Sequence, residues 1–80
     1  MGKSKSKNTR MIEHMGTRVE ELRELRGLSR KDLADKSGVH YDVIARIERD
    51  ERRPRVWTLV PLADALNVSL TEFFVDPLGV

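Results

Sequence analysis

Cysteine is absent from this 80-residue sequence, and only two histidines, His14 and His40, are present. Without thiols the chain can form neither a disulfide bond nor a thiolate metal site, and such a composition fits a reducing compartment. Long apolar runs are also missing: nothing approaches the roughly 20 residues that span a bilayer, and no signal-peptide core is present. We therefore expect a cytoplasmic protein with no membrane partner, no metal ion and no other cofactor.

Catalytic patterns are equally scarce. The acidic residues are distributed along the chain, and no spacing joins a nucleophile to a base or gathers metal ligands. Asp32 and Asp35, three positions apart, are explained more simply as part of a solvated helix face. The sequence therefore predicts that the protein is not an enzyme. Its length predicts a single domain near the lower size limit for an unaided hydrophobic core.

The net charge is +2, but the charged residues are distributed unevenly along the chain. Residues 1–10 carry four basic residues and no acid, whereas residues 46–55 carry five arginines against three acids. Residues 56–80 carry three acids and no base. Positive charge concentrated in this way favours a polyanionic partner. A solvated surface with a solubilising tail is the alternative.

The segment around Gly38 places a glycine between two short stretches with helical periodicity. Ala34 and Val39 flank this glycine. Ile44 and Ile47 then form an apolar pair three residues apart. Gly38 can end a helix because glycine adopts a positive φ without a steric penalty. Two short helices joined by such a turn form a helix-turn-helix, whose second helix can reach base edges in the DNA major groove.

A wider set of positions at fixed spacing reinforces this interpretation. The set comprises Gly27-Leu28-Ser29, Leu33-Ala34, Gly38-Val39, Ile44-x-x-Ile47-Glu48, Arg53-Pro54, Leu62-Ala63-x-Ala65-Leu66-x-Val68-Ser69-Leu70 and Phe74. From about Val19 to Phe74 the chain resembles the Cro/CI-type (Xre-family) helix-turn-helix DNA-binding proteins. The resemblance implies an all-α, lambda-repressor-like fold: a compact bundle of five short α-helices without strands, with a central helix-turn-helix and a flexible basic N-terminal arm.

Three segments follow from the composition and from this resemblance. We expect a disordered basic arm at residues 1–12, the helix-turn-helix DNA-binding domain at 13–75 and a C-terminal tail at 76–80. The basic side chains of the arm are predicted to contact DNA phosphates, with a passive tail as the alternative. They are Lys3, Lys5, Lys7 and Arg10.

Local signals and the resemblance together define how the second and third helices are held. Ser29 is a good N-cap for the second helix, and Asp32 three residues later suggests a capping box. The resemblance implies that Arg23 of the first helix forms a structural ion pair with Glu48, which ends the third helix. Two solvated charges are the alternative. Partly buried, the pair would fix the angle between the first and third helices.

The resemblance makes the third helix, at about residues 40–49, the recognition helix, with His40 in the N-cap position. The side chains expected to contact bases are Arg30, Tyr41, Asp42, Val43, Ala45 and Arg46. Arg46 is the main candidate because arginine pairs bidentately with guanine, and a phosphate contact is the alternative. Arg30 is placed to touch a phosphate or a base. Val43 either contacts a thymine methyl group or is half-buried.

Phosphate contacts are expected from the start of the second helix, the cap of the recognition helix and the arginine-rich loop that follows it. These residues are Ser29, His40, Arg49, Arg52, Arg53 and Arg55. Asp50 in this loop stands where the family usually has glycine, and aspartate tolerates the left-handed conformation better than most residues. Phosphate contacts of this kind make DNA affinity fall steeply with salt.

The last third of the chain contains two further predicted helices. Pro61 favours a fourth helix capped by Thr58, with residues 56–57 irregular or in a short 3-10 turn, because proline is tolerated in the first turn. Ser69 and Glu72 predict a capping box for a fifth helix. Apolar residues that cannot all face inward near this helix predict a homodimer interface, with a monomer as the alternative. They are Leu70, Phe73, Phe74, Val75 and Leu78.

Together these observations predict a sequence-specific, DNA-binding transcriptional regulator, acting as a repressor, that binds a short inverted repeat of double-stranded DNA as a homodimer. Phage-type repressors, restriction–modification controller proteins and antitoxins of this fold are all compatible. The alternative is an antitoxin or protein-interaction module that uses the same fold to hold a protein partner. A toxin and a polymerase are the partners considered.

Overall fold

Four α-helices and one 3-10 helix make up the computed structural model, which describes residues 15–74. The α-helices α1 to α4 are Met15–Leu25, Arg30–Ser37, Tyr41–Glu48 and Val56–Leu66, and the 3-10 helix is Leu70–Phe74. The all-α class is confirmed, and residues 15–74 contain no strand. The sequence predicts a fifth α-helix, whereas the structure has a 3-10 helix there.

Several predicted features lie outside the described residues. They are the basic arm at 1–12 with Lys3, Lys5, Lys7 and Arg10, the tail at 76–80 with Leu78, and Val75. Among residues 15–74, no helix has the length and apolar character needed to cross a membrane.

Both ends of α2 are fixed by the signals found in the sequence. Ser29 Oγ accepts from the Asp32 N–H at 3.0 Å, and Asp32 Oδ2 accepts from the Ser29 N–H at 3.0 Å, which completes the predicted capping box. At the other end Gly38 has φ of +78° and donates its N–H to the carbonyl oxygen of Ala34 at 2.9 Å. The turn to α3 therefore begins at Gly38, as predicted.

A single apolar core joins all five helices. α1 packs on α3 and on the 3-10 helix, while α2 packs on both α3 and α4. The largest fully buried side chains come from every element and are Phe73, Leu33, Ile44, Ile47, Leu59, Leu62, Leu66 and Val19. Helix α3 is thus held on its inner face by α1 and α2, which leaves its outer face available.

Helix α4 begins earlier than predicted. It starts at Val56 with Arg55 as N-cap, and it contains Pro61 in its interior. The N–H groups of Thr58 and Leu59 both donate to the Arg55 carbonyl at 2.9 Å, so the first turn is complete without Thr58 as a cap. Pro61 deprives the carbonyl one turn earlier of its usual N–H donor. Leu59, which follows this turn, is 1% exposed and belongs to the core.

The side chains of the predicted capping box at the fifth helix bond other partners. The Glu72 carboxylate accepts from Arg18 Nη2 of α1 at 2.9 Å, and the Ser69 hydroxyl bonds the Thr71 hydroxyl at 2.6 Å. Phe73 is 0% exposed, so its assignment to a dimer interface is wrong: this side chain fills the core. Leu70 and Phe74 are half-buried and pack against the same core.

Candidate nucleic-acid interface

Helix α3 carries its polar and aromatic side chains on the outer face and at its start. His40 is the N-cap, and its Nδ1 accepts from the Asp42 N–H at 3.3 Å. Tyr41, the first helical residue, is 45% exposed. Asp42 and Arg46 are also exposed, and they lie one turn apart on the same side of the helix. This face can approach a second molecule without disturbing the core.

Two other residues of the predicted base-contacting set behave differently. Ala45 is only 4% exposed, because its position on the helix turns the methyl group toward the core beside Ile44. Ala45 therefore does not belong to the outer face, and its predicted base contact is corrected. Val43 is half-buried and packs against the core, which is one of the two alternatives left by the sequence.

The C-terminal end of α3 is fixed by the carboxylate of Glu48, whose side chain is 0% exposed. Arg23 of α1 donates from Nε to Glu48 Oε2 at 2.7 Å and from Nη2 to Glu48 Oε1 at 3.1 Å. Its Nη1 also donates to the Leu28 carbonyl at 2.8 Å. The hydrogen bond to Glu48 is the main cause that raises the pKa of Arg23. The structure thus contains the Arg23–Glu48 ion pair as a buried bridge between α1 and α3.

Arg30 is a second ligand of the same carboxylate that sequence reasoning missed. Its Nε donates to Glu48 Oε1 at 2.8 Å, and this hydrogen bond is the largest cause that raises the pKa of Arg30. Glu48 therefore joins three helices. The only available signal is the arginine itself, immediately after the Ser29 cap, and the sequence predicts for it a contact with DNA alone.

The loop between α3 and α4 presents the arginines predicted to contact phosphates. Asp50 adopts φ of +60°, so an aspartate does occupy the left-handed position. Arg52 and Arg53 are exposed. Arg49 donates from Nε and Nη2 to Glu51 at 3.0 and 3.2 Å, which raises the pKa of Arg49 and lowers the pKa of Glu51.

Arg55, the last arginine of this loop, stacks on an aromatic ring. Its guanidinium carbon lies 5.3 Å from the ring centroid of Trp57, a cation–π geometry. Trp57 itself is 70% exposed. The other predicted phosphate ligand, Ser29, is exposed at the start of α2. The described phosphate candidates thus surround α3 on its N-terminal and C-terminal sides.

Two arginines that the sequence left unassigned are used inside the fold. Arg18 binds the Glu72 carboxylate and carbonyl and thereby ties α1 to the 3-10 helix. Arg26 donates from Nε to the Leu66 carbonyl at 2.7 Å, at the end of α4. The charge of Arg18, which is paired with Glu72, therefore contributes less to a cationic surface than the composition suggests.

An apolar surface lies on the side of α4 that no described element covers. Val56, Trp57 and Val60 are exposed. Next to them a groove of about 260 Å³ is lined by Met15, Arg53, Pro54, Val56, Leu59 and Phe74. Among residues 15–74, no group of His, Asp and Glu side chains could hold a metal ion. The surface chemistry is thus cationic around α3 and apolar at α4.

Similarity to known proteins is centred on the same helices. The HTH_3 family, described as helix-turn-helix, matches residues 19–73. The HTH-type transcriptional regulator PuuR from Escherichia coli (strain K12) is 39% identical over 62 residues, which cover 78% of this chain and 34% of PuuR. The chain therefore spans about a third of the length of this relative. Control protein C.SmaI from Serratia marcescens is 40% identical over 60 residues, covering 75% of this chain and 71% of C.SmaI.

A solved structure has the same arrangement of helices. The restriction-modification controller protein C.AhdI from Aeromonas hydrophila matches with a TM-score of 0.74 and 33% sequence identity, over 80% of this chain and 96% of that chain. The family match includes both helices of the turn and most of the core that supports them. The chain therefore belongs to the HTH_3 helix-turn-helix family.

Proposed function

We propose that this protein is a sequence-specific DNA-binding transcriptional regulator. The observation that carries the proposal is the outer face of α3, where Tyr41, Asp42 and Arg46 are exposed on a helix whose C-terminal end is fixed by buried Glu48. Readout of bases in the major groove requires a helix that is held in place and has an exposed polar face. Relatives named as a transcriptional regulator and as a restriction-modification controller protein support the same function.

Base readout is assigned to the exposed face and to its neighbour on α2. Arg46 pairs with a guanine, and Asp42 accepts from cytosine N4 or orients Arg46 one turn away. Tyr41 and Arg30 contact bases beside the start of α3. Val43 supplies at most a small apolar contact because it is half-buried.

Phosphate contacts position the helix without reading sequence. They are assigned to exposed residues around α3, namely Ser29, His40, Arg49, Arg52, Arg53 and Arg55. The four basic residues of the arm, Lys3, Lys5, Lys7 and Arg10, are assigned the same task. Each such contact releases counterions from DNA, so binding weakens as salt increases.

The regulator is proposed to act as a homodimer on a short inverted repeat, with repression as the outcome. The exposed apolar residues of α4 and half-buried Leu70 and Phe74 support a self-association surface, which Val75 and Leu78 would extend. In such a dimer the two recognition helices enter successive major grooves about 34 Å apart. Steric exclusion of transcription from the bound site then gives repression.

Selection from a random duplex pool tests the proposal, followed by titration of the enriched and a scrambled duplex at two salt concentrations. We expect an inverted repeat with affinity at least ~10³-fold above that of scrambled DNA. Sedimentation of the complex should give two chains per duplex. Equal and steeply salt-dependent binding to both duplexes would contradict sequence-specific regulation.

A second candidate function is a protein-binding module that holds a partner such as a toxin or a polymerase. The exposed Trp57 between Val56 and Val60 favours it, because an apolar strip on α4 can also accept another protein. Replacement of Trp57 by alanine discriminates the two candidates. If the variant loses both affinity for the enriched duplex and the ability to dimerise, the apolar strip serves self-association. If the variant still binds DNA as a dimer, the strip binds a different protein.

A further inference from the structure

Glu48 binds two arginines that differ in their access to solvent. The Arg23 side chain is 10% exposed, and its Nε, Nη1 and Nη2 all have acceptors inside the fold. The Arg30 side chain is 27% exposed and, within residues 15–74, is bonded through Nε. Arg23 therefore uses its donors within the fold, while Arg30 keeps donors that a ligand can accept from.

The remaining donors of Arg30 form a fixed pair. With Nε bound to Glu48, the terminal edge of the guanidinium presents Nη1 and Nη2 as two parallel donors. Arg30 is the first residue of α2, and Tyr41, the first residue of α3, lies close enough to help raise the pKa of Arg30. The pair of donors is thus next to the start of the recognition helix, the part of this motif that reaches base edges.

The geometry of this edge fits a guanine. Because the Glu48 carboxylate, 2.8 Å from Arg30 Nε, is shared with Arg23, the three groups keep one net positive charge, and the fixed orientation of the donors rather than their charge favours a base. Guanine O6 and N7 require two donors in a fixed arrangement rather than net charge. Holding the side chain in place also reduces the conformational entropy lost on binding.

We propose that Glu48 positions Arg30 to read a guanine in each half-site of the DNA target. The proposal rests on the proposed function, sequence-specific DNA binding, and adds a role for a residue that does not touch DNA. Glu48 is a positioning residue that acts through Arg30. The carboxylate that joins α1, α2 and α3 therefore also determines preference at one base pair, separate from the pair read by Arg46.

The test measures affinity for the enriched duplex and for each of its single-base-pair variants at fixed salt. The variants are Arg30→Lys, which keeps the charge but loses the paired donors, and Glu48→Gln, which keeps the size but loses the charge. Arg49→Lys is the matched control, since Arg49 also binds a glutamate through Nε but lies in the exposed loop. Thermal unfolding of each variant is followed in parallel.

A single G·C pair should distinguish the variants. Wild type should disfavour replacement of this pair by roughly 5- to 150-fold, and Arg30→Lys should reduce that preference to about threefold or less while keeping preference elsewhere. Glu48→Gln should weaken preference at the same pair. Arg49→Lys should lower affinity for all duplexes by one common factor. If Glu48→Gln does not fold, Glu48→Asp replaces it, since its shorter carboxylate cannot reach Arg30 in the same geometry.

Different results overturn different claims. An Arg30→Lys protein that weakens every duplex equally would make Arg30 a phosphate ligand and contradict guanine readout. A folded Glu48 variant that keeps full preference at the pair lost in Arg30→Lys would contradict positioning by Glu48. If the pool yields no preferred sequence at all, the proposed function itself fails, and this result is distinct from both.

Discussion

Two arginine–glutamate pairs, whose glutamates are three residues apart in the chain, lie in opposite surroundings. Glu48, with a fully buried side chain, accepts from Nε and Nη2 of Arg23 at 2.7 and 3.1 Å. Glu51, which is exposed, accepts from the same two atoms of Arg49 at 3.0 and 3.2 Å. The hydrogen-bond geometry is nearly equal, so the environment makes the difference between the two pairs.

The difference in burial gives the two pairs different roles, one in the stability of the fold and one in binding. Removal of one partner from the buried pair leaves a charge without compensation in a low-dielectric interior. Water and salt compensate the members of the exposed pair, so a DNA phosphate can replace Glu51 at little cost. The buried pair therefore fixes the recognition helix, and the exposed pair remains exchangeable.

The largest expected effect comes from Glu48→Ala. Arg23 would remain buried without its carboxylate, so the free energy of unfolding should fall by about 3–5 kcal/mol. Urea denaturation monitored by circular dichroism measures this change. Because small domains have only about 5–15 kcal/mol of stability, the variant should be partly unfolded at 37 °C.

The control is Glu51→Ala, which removes the carboxylate of the exposed pair. Its urea midpoint should equal that of wild type within error. A similar loss of stability in both variants would show that burial does not distinguish the pairs. A stable Glu48→Ala protein would remove the structural basis for a fixed recognition helix.

Gly16→Ala tests the close approach of α1 to the C-terminal end of α3. A Cβ on Gly16 would clash with the carbonyl oxygen of Ile47 and lie 2.6 Å from Asp50 Oδ1. Since the Ile47 oxygen belongs to the backbone, the helices must separate, and the free energy of unfolding should fall by about 1–3 kcal/mol. Leu25→Ala, at an exposed position of the same helix, serves as control and should change little. Equal stability of the two variants would exclude a close helix approach at Gly16.

Ser29→Ala should have an intermediate effect on stability. The Ser29–Asp32 capping box is exposed, but each of its hydrogen bonds joins a side chain to a backbone N–H. Loss of the cap hydrogen bond to Asp32 should lower the free energy of unfolding by about 1 kcal/mol. Chemical denaturation at neutral pH measures it. Lys31→Ala, at the second residue of the same helix and exposed, is the control and should preserve stability. No change in Ser29→Ala would mean that solvent replaces this cap fully.

The same cap gives a pH dependence. The Ser29 N–H, followed by its hydroxyl group, lowers the pKa of Asp32 below the ordinary value of 3.8. A lowered pKa in the folded state means that the stabilisation is present above pH 3.8 and is lost as the pH falls through the folded-state pKa. Carboxyl NMR titration should show a pKa for Asp32 that rises in Ser29→Ala but stays below 3.8, since the backbone donor remains. A pKa unaffected by the substitution would contradict the hydroxyl contribution.

The sequence predicts the parts of this molecule that depend on local chemistry. The Ser29–Asp32 box and the left-handed Gly38 follow from residues a few positions apart, and family resemblance identifies the Arg23–Glu48 pair. Contacts between distant segments leave no such pattern: nothing near Arg18 indicates that Glu72, 54 residues away, accepts from it.

Helix phase and packing explain the predictions that failed. Ala45 is small enough to suit either face, so only its rotation about α3 decides that it is buried. The local cost of Pro61 predicts a helix capped by Thr58, whereas α4 begins at Val56 and contains Pro61 in its interior. The sequence predicts only a DNA contact for Arg30, and the carboxylate that binds it lies 18 residues further along the chain. In the candidate site, residue types are therefore predictable, whereas the partner that orients Arg30 is not.

The smallest expected effect comes from Glu51→Gln, which should leave stability unchanged and alter DNA binding. Glu51 occupies both Nε and Nη2 of Arg49 in the free protein. Its neutralisation frees these donors for a phosphate, so affinity should rise modestly, by the same factor for enriched and scrambled duplexes. One more phosphate contact per subunit should also increase the slope of log affinity against log salt by about 0.9. Titrations over a series of salt concentrations measure both quantities.

A double-mutant cycle separates competition at Arg49 from general charge repulsion. If Glu51 acts by occupying Arg49, the Glu51→Gln gain must vanish in an Arg49→Ala background, because the freed donors no longer exist. If Glu51 acts only by repelling the DNA backbone, the gain persists in that background. Persistence would show that the exposed pair is not exchanged on binding. If the gain in DNA affinity disappears and the free energy of unfolding stays constant in all variants, the exposed Arg49–Glu51 pair affects binding and not stability. Its hydrogen-bond geometry is nearly that of the buried pair, so the difference in role comes from exposure.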